Sequence, residues 1–174
     1  MLDLARSTLQ HYLTHRVTMP YVPALPALEA LCGVFVSLHN HDQLRGCIGH
    51  TGADRPLFRV VQECVIAAAT DDTRFSPVDP DEVPDLDIEV SVLAAFRSIA
   101  SVEEIEIGRH GLLLSRSQRR GLLLPQVAAE HGWDREMFLA QTCRKAGLPV
   151  EAWRQPDTKI EVFEAQVFSE RLLR

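Results

Sequence analysis

A cysteine between two glycines is the residue of this chain whose surroundings most favour chemistry. It is Cys47 in the segment "LRGCIGH", with Arg45 two residues before it. In an extended strand, Arg45 and Cys47 lie on one face, about 7 Å apart along the strand. A guanidinium near a thiol favours the thiolate, which is the nucleophilic form. The spacing therefore indicates a nucleophilic or ligand-contacting cysteine, with Arg45 as its thiolate or anion partner.

The neighbours of Cys47 leave other interpretations open. Gly46 and Gly49 lack side chains, so another backbone or a ligand can come close. His50 could approach the thiol if the strand ends at Gly49. The alternative is a small packing residue, because free cysteine is among the most buried residue types. Histidines 39, 41 and 50 are suitable zinc ligands in kind, but no paired zinc-finger spacing occurs, and we assign no metal site.

Two further segments carry candidate site residues. "TRFSP" places Arg74 and Phe75 in a loop, where arginine could hold a carboxylate or phosphate through two bonds, or simply tether the loop. In "LDIEVSVL", Glu89 and Ser91 lie on the polar face of a predicted strand. If that strand neighbours residues 44–49, both would face Cys47, and Glu89 could serve as a general base or orienting group.

Composition narrows the class of protein. The chain has 174 residues, is 46% hydrophobic and 24% charged, and carries a net charge of −6 with a pI near 5.6. The acidic balance argues against nucleic-acid binding. No apolar run approaches the length of a membrane span, and the N-terminus does not resemble a signal peptide. The four cysteines have irregular spacings, so we expect reduced thiols in a cytoplasmic protein.

The elements that must position these residues follow a repeated order. Residues 2–16 predict a helix, and a hairpin, a helix with Asp54 as its cap and a strand follow. A second hairpin, two helices and a long strand "KIEVFEAQVF" complete the chain. We therefore expect one α+β domain, residues 1–174, with an N-terminal helix. Its two lobes, roughly 17–100 and 101–174, are expected to pack together as duplicated hairpin–helix–strand units.

Six segments in order resemble the AMMECR (AMME chromosomal region) family, known in bacteria and archaea as protein A of the AmmeMemoRadiSam system. They are "LRGCIGH", "DDTRFSPV", "LDIEVSVL", "GRHGLLL", "GLLLPQVAAEHGWDREMFLAQTCRKAGL" and "VFEAQVFSE". The resemblance covers roughly residues 30–170 and implies a two-lobed α+β fold with an internal repeat. The family's signatures fall on residues 44–49, on Arg74, Phe75 and Pro77, and on Glu89 and Ser91.

The resemblance implies a pathway rather than a reaction. Members of this family are associated with a Memo-type protein and with a radical SAM protein, which suggests a shared modification pathway. One hypothesis is an enzyme or enzyme component with a cleft around Cys47. The other is a non-catalytic interaction module that docks those two partners. We assign no cofactor, and the oligomeric state is left open.

Overall fold

The first two helices form where the apolar spacing predicts them. The computed structural model describes residues 1–173. Helix α1, Leu2–His15, buries Leu4, Ala5, Leu9 and Leu13 along one stripe. Helix α2, Leu57–Thr70, buries Val60, Val61, Cys64, Val65 and Ala68 in the same way. The prediction that Asp54 caps α2 is wrong, because the cap position is Pro56 and the Asp54 carboxylate bonds to the His50 ring instead.

These helices cover one face of a four-stranded sheet. Its strands are β1 (Val34–Asn40), β2 (Gln43–His50), β3 (Leu86–Leu93) and β8 (Ala165–Ser169), in the order β2-β1-β3-β8. Strand β1 pairs antiparallel with both β2 and β3. Its residues Val34, Val36 and Leu38 are fully buried in the core that includes α1 and α2. Because side chains alternate along a strand, residues 35, 37 and 39 point to the opposite face.

A second sheet has its own helices and core. It contains β4 (Arg97–Ser98), β5 (Gly111–Arg116), β6 (Arg119–Leu123) and β7 (Lys159–Phe163), in the order β4-β7-β5-β6. Helices α3 (Pro125–Glu130) and α4 (Arg135–Lys145) follow β6 in the chain. The core of this unit includes Leu112, Leu114, Phe138, Leu139 and Cys143. Within residues 1–173, short 3₁₀ segments lie at residues 26–29, 80–85, 102–104 and 152–154 between other elements, and at 170–173 after β8.

The two sheets repeat one plan, and the predicted α+β class is confirmed. In each, a hairpin leads through helix to a strand that pairs with the hairpin's first strand, giving β2-β1-β3 and β6-β5-β7. The chain divides into two compact units, one of residues 1–93 with the segment from Gln166 onward, the other of residues 94–165. The sequence had led us to expect a division near residue 100, with the last strand wholly in the second lobe. The observed units instead divide after residue 93, and the segment from Gln166 belongs to the first.

The long final strand predicted for "KIEVFEAQVF" is in fact two strands in two sheets. Strand β7 ends at Phe163 and β8 begins at Ala165, so Glu164 separates them. The Glu164 carbonyl accepts a bond from the Ala94 N–H. The apolar positions shift phase here, from Ile160 and Val162 to Ala165 and Val167, and a single straight strand cannot accommodate that shift. Within residues 1–173, no helix combines the length and apolarity needed to cross a membrane.

Candidate active site around Cys47

Cys47 belongs to a row of three side chains across neighbouring strands. On the face away from α1 and α2, Cys47 of β2 pairs with Ser37 of β1, and Ser37 pairs with Glu89 of β3. The condition under which Glu89 would face Cys47 directly, that β3 neighbours residues 44–49, is not met. Since β1 lies between them, the backbones of Cys47 and Glu89 are about 10 Å apart, two strand spacings. Ser37 therefore connects them, and sequence reasoning did not select it, although alternation already placed it on this face.

The thiol of Cys47 has a polar partner. The Ser37 hydroxyl donates to Cys47 Sγ with an Oγ–Sγ distance of 3.3 Å. Ser37 is 9% exposed, whereas Cys47 is half-buried. A hydrogen bond donated to sulfur stabilises its charged form. Cys47 is thus accessible in part as a residue, and its sulfur has a hydrogen-bond donor on strand β1.

The backbone of Cys47 is held by two side chains from the loop after α2. Strand β2 is an edge strand, so alternate N–H and C=O groups point away from the sheet. The Cys47 N–H donates to Asp72 Oδ2 at 2.8 Å, and Arg74 Nη2 donates to the Cys47 carbonyl at 3.3 Å. Asp72 is a buried residue that the sequence did not single out, and through this bond it fixes the position of the Cys47 backbone.

Asp72 and Arg74 form a close ion pair. Arg74 donates to the Asp72 carboxylate from its backbone N–H at 3.2 Å, from Nε at 2.9 Å and from Nη2 at 2.7 Å. The Arg74 side chain holds the pKa of Asp72 well below its usual range. In return, the bond to Asp72 raises the pKa of Arg74. Arg74 is therefore the arginine that is bonded to Cys47, through the Cys47 carbonyl.

Arg45 has a different role from the predicted one. It occupies a bulge in β2, because Leu38 pairs with Gly46 and His39 already pairs with Leu44. Its Nε and Nη2 bind the two carboxylate oxygens of Glu82 at 2.9 and 2.8 Å, and it also donates to the carbonyls of residues 76 and 77. This contact with Arg45 is the main cause that lowers the pKa of Glu82. Arg45 thus tethers the loop that carries Arg74 rather than pairing with the thiol.

Both glycines beside Cys47 allow close packing. A Cβ atom on Gly46 would lie 2.0 Å from the carbonyl oxygen of Ala68, so only glycine lets β2 approach the end of α2. A Cβ on Gly49 would lie 2.3 Å from the ring of Phe35 on the adjacent strand. The close neighbours that the sequence allowed for are therefore a helix backbone and an aromatic ring of the chain itself.

His50 is not brought to the thiol. Strand β2 continues through His50, so alternation directs its side chain to the face opposite Cys47. Its Nε2 lies 2.6 Å from Asp54 Oδ1, and this bond is the main cause that lowers the pKa of Asp54. Approach to Cys47 required a strand that ended at Gly49, and that condition is not met.

The remaining predicted residues border the row. The Phe75 ring centroid is 5.4 Å from Cζ of Arg74, a cation–π distance that helps to hold the guanidinium plane. Ser91 is 2% exposed and pairs with Phe35 across β1 and β3. Phe75 therefore supports the Arg74 side of the site, whereas Ser91 lies in the next row of the sheet.

The other thiols differ from Cys47 in their surroundings. All four cysteines are free. Cys64 is buried in the core, and burial raises its pKa to about 11. Cys32 is half-buried like Cys47, and burial raises its pKa too. Among residues 1–173, no three His, Cys, Asp or Glu side chains are grouped so that they could hold a metal ion. The arrangement at Cys47 is instead suited to a thiolate nucleophile with a cationic neighbour.

Comparison with known proteins identifies close relatives. The AMMECR1 family model matches residues 2–168. A protein of Methanopyrus kandleri is 46% identical over 98% of this chain and 86% of its own length. A protein of Thermococcus kodakarensis is 43% identical over 100% of this chain and 90% of its own. The crystal structure of an uncharacterised protein from Pyrococcus horikoshii superposes with a TM-score of 0.94 at 40% identity, covering 97% of this chain and 89% of that one.

Proposed function

This chain belongs to the AMMECR1 family, and from that premise and the surroundings of Cys47 we propose that it is a thiol-dependent enzyme or enzyme component of a modification pathway. Cys47 is the nucleophile. Arg74 and Ser37 stabilise its thiolate, and Asp72 positions it. The observation that carries the proposal is the pairing of a hydroxyl donor on Sγ with a guanidinium next to the same residue.

Glu89 takes the role of base through Ser37. Because Glu89 and Ser37 are directly opposite on β3 and β1, their Cβ atoms are about 5 Å apart, within reach of a carboxylate–hydroxyl bond. For this transfer the Ser37 hydroxyl turns from Sγ toward Glu89, and the thiol donates to the Ser37 oxygen. The Cys47 proton then passes to that oxygen as the Ser37 proton passes to Glu89, and the re-formed hydroxyl donates to the thiolate. This route replaces the direct contact that the sequence suggested, and it uses the general-base function expected of a carboxylate at such a site.

The pathway follows from family resemblance. Proteins of this family are associated with Memo-type and radical SAM proteins, so the substrate of Cys47 is a protein or small molecule that these partners also process. A cytoplasmic location is consistent with four free thiols.

The second candidate function is a non-catalytic module that docks those partners. It is favoured by one observation: Arg45 and Arg74 are both engaged with carboxylates of the chain, as in a rigid surface held ready for another protein. In that case Cys47 is a contact residue whose sulfur need not react.

Alkylation of the native protein separates the two functions. Limiting iodoacetamide at pH 7, followed by digestion and mass spectrometry, gives the labelling rate of every cysteine in one sample. We expect Cys47 to react at least about tenfold faster than Cys32, because a thiolate supported by a guanidinium forms more readily than one opposed by burial. Cys32 is the matched reference, half-buried in the same chain.

A change at Ser37 tests the support of the thiolate. Ser37→Ala removes the donor on Sγ and is expected to slow Cys47 labelling about threefold to tenfold, the value of one modest hydrogen bond. Ser115→Ala, in the second sheet, is the control and leaves the rate unchanged. A Cys47 that reacts no faster than Cys32, with partner binding retained in Cys47→Ser, overturns the enzyme function and supports the docking module.

A further inference from the structure

We propose that the substrate of Cys47 carries an anionic group, a carboxylate in the simplest case, which binds to Arg74 beside the electrophilic atom that the thiolate attacks. This inference rests on the proposed function of Cys47 and names the substrate class of that site. It depends on the Nη1 nitrogen of Arg74, which donates no hydrogen bond to another residue among residues 1–173.

The guanidinium of Arg74 has an inner and an outer side. Nε and Nη2 point inward to Asp72, and Nη2 also reaches the Cys47 carbonyl. Nη1 has no hydrogen-bond acceptor within residues 1–173, and 52% of the side chain is exposed. Two N–H donors at Nη1 thus remain for a ligand, next to the residue that bears the nucleophile. A carboxylate or phosphate oxygen is the acceptor that a guanidinium binds most strongly.

The carboxylates near Arg74 do not oppose such a ligand from the open side. Asp72 is 7% exposed and already accepts four hydrogen bonds from Cys47 and Arg74. Glu82 is engaged by Arg45 through both oxygens. Glu89 is separated from Cys47 by strand β1, at about 10 Å between backbones. Arg74 is therefore an exposed positive charge beside Cys47.

Phe75 restricts the direction of approach. Its ring is half-buried, and the ring centroid lies 5.4 Å from the guanidinium carbon of Arg74. The ring therefore restricts the movement of the guanidinium. The Phe35 ring covers Gly49 in the next row of the same sheet face. An anionic substrate with an apolar body can therefore place its charge on Nη1 while its carbon skeleton contacts a ring. The two contacts would orient the electrophile toward Sγ.

Two alkylating agents that differ in charge test the inference directly. Iodoacetate and iodoacetamide both form a carbon–sulfur bond with the thiolate and release iodide with the electron pair of the carbon–iodine bond. Only iodoacetate carries a carboxylate next to the reacting carbon. We expect the iodoacetate-to-iodoacetamide rate ratio at Cys47 to exceed that at Cys32 at least about fivefold, the effect of one solvent-screened charge at contact distance. Raising the salt concentration should reduce the difference.

Variants assign the effect to Arg74. Arg74→Gln should lower the ratio at Cys47 to about that of Cys32, whereas Arg59→Gln, the same change of charge at an exposed residue of α2 outside the site, should leave it high. Far-UV circular dichroism shows whether each variant is folded. If Arg74→Gln does not fold, Arg74→Lys retains the charge and should keep part of the preference, as a point charge without the planar fork.

The outcomes separate the two proposals. A Cys47 that outpaces Cys32 with iodoacetamide but shows the same charge ratio as Cys32 overturns the anionic substrate and leaves the nucleophile in place. A Cys47 that does not outpace Cys32 with iodoacetamide overturns the proposed function itself. A high ratio that survives Arg74→Gln would mean that the anion binds elsewhere, and it would contradict the inference.

Discussion

At the scale of single residues, the position of Cys47 depends on one buried carboxylate. Asp72 accepts the Cys47 N–H and three donors of Arg74, so it joins an edge strand to a loop. Groups at an exposed strand edge normally bond to water and shift with it. With both backbone groups of Cys47 engaged by Asp72 and Arg74, the backbone that carries the thiol is held in place. Such fixed placement is what a reacting atom requires.

Asp72→Asn should lower the free energy of unfolding. It should also make that free energy depend less on pH in the acid range. At pH 7 we expect the free energy of unfolding to fall by about 1–3 kcal/mol, since a charge-assisted hydrogen-bond set is lost. The Arg74 contact lowers the pKa of Asp72 in the folded state, so this stabilisation is present above the unfolded value, about 3.9, and is lost as the pH falls below it. The difference between the native protein and the variant should therefore shrink from pH 6 to pH 3, as measured by urea unfolding.

The neighbouring carboxylate provides the control for this change. Asp71→Asn makes the same chemical change at an exposed residue and should alter stability little at either pH. Two outcomes would contradict this explanation: equal losses of stability in Asp71→Asn and Asp72→Asn, or an effect of Asp72→Asn that does not depend on pH. Either would mean that the charge of Asp72 does not stabilise its contacts with Cys47 and Arg74.

At the scale of elements, two glycines let a hairpin strand touch a helix end. A Cβ on Gly46 would meet the Ala68 carbonyl of α2 at 2.0 Å, and a Cβ on Gly121 would meet the Thr142 carbonyl of α4 at 2.6 Å. Each glycine lies opposite a buried leucine, Leu38 or Leu114, on the hairpin's other strand. The same close approach of strand and helix thus occurs once in each sheet. In the first sheet it requires glycine at the position directly before Cys47.

Alanine at either glycine should separate strand from helix. Gly46→Ala and Gly121→Ala are each expected to lower the free energy of unfolding by about 3 kcal/mol, because rigid backbone atoms must move. Gly132→Ala is the comparison: no atom lies within 4 Å of its Cβ site, and only its φ of 62° opposes a side chain. That change should cost about 1 kcal/mol. Equal losses for the three variants, in chemical denaturation, would show that the close contacts at Gly46 and Gly121 cost no more than the positive φ at Gly132, and would contradict this explanation.

Local patterns predicted the elements well and their partners poorly. Alternation and helical spacing placed α1, α2, the first hairpin and β3, because those signals lie within a few residues. The segment after α2 was predicted only as a loop, yet its Asp72 and Arg74 bind Cys47, and its carbonyls bind Arg45. Which arginine faces the thiol depends on where that loop folds back. Sequence spacing along β2 favoured Arg45 as the partner of Cys47, because spacing within one strand gives no information about a contact from a distant loop.

At the scale of the whole chain, the duplication is closer than the sequence pattern alone indicated. Aligning the two sheets by their pairings sets Leu38 with Leu114 and Gly46 with Gly121, and it matches Glu89 with Glu161. Two short identities then coincide, Arg-Gly at 45–46 and 120–121, and Ile-Glu-Val at 88–90 and 160–162. At the central row, however, the Ser37–Cys47 pair of the first sheet corresponds to Leu113–Leu122 in the second. The duplicated frame is shared, while the polar row occurs only in the first unit.

That correspondence supplies a test of what makes a thiol reactive in this frame. Leu122→Cys places a second thiol at the register position of Cys47, on a half-buried strand site, but opposite Leu113 instead of a serine. If Ser37, Asp72 and Arg74 activate Cys47, iodoacetamide should label Cys47 at least about tenfold faster than the new thiol in the same molecule. Mass spectrometry of both peptides from one digest gives this ratio without differences between samples. Equal rates at the two positions would mean that the strand frame alone sets the reactivity, and the roles assigned to those three residues would then be wrong.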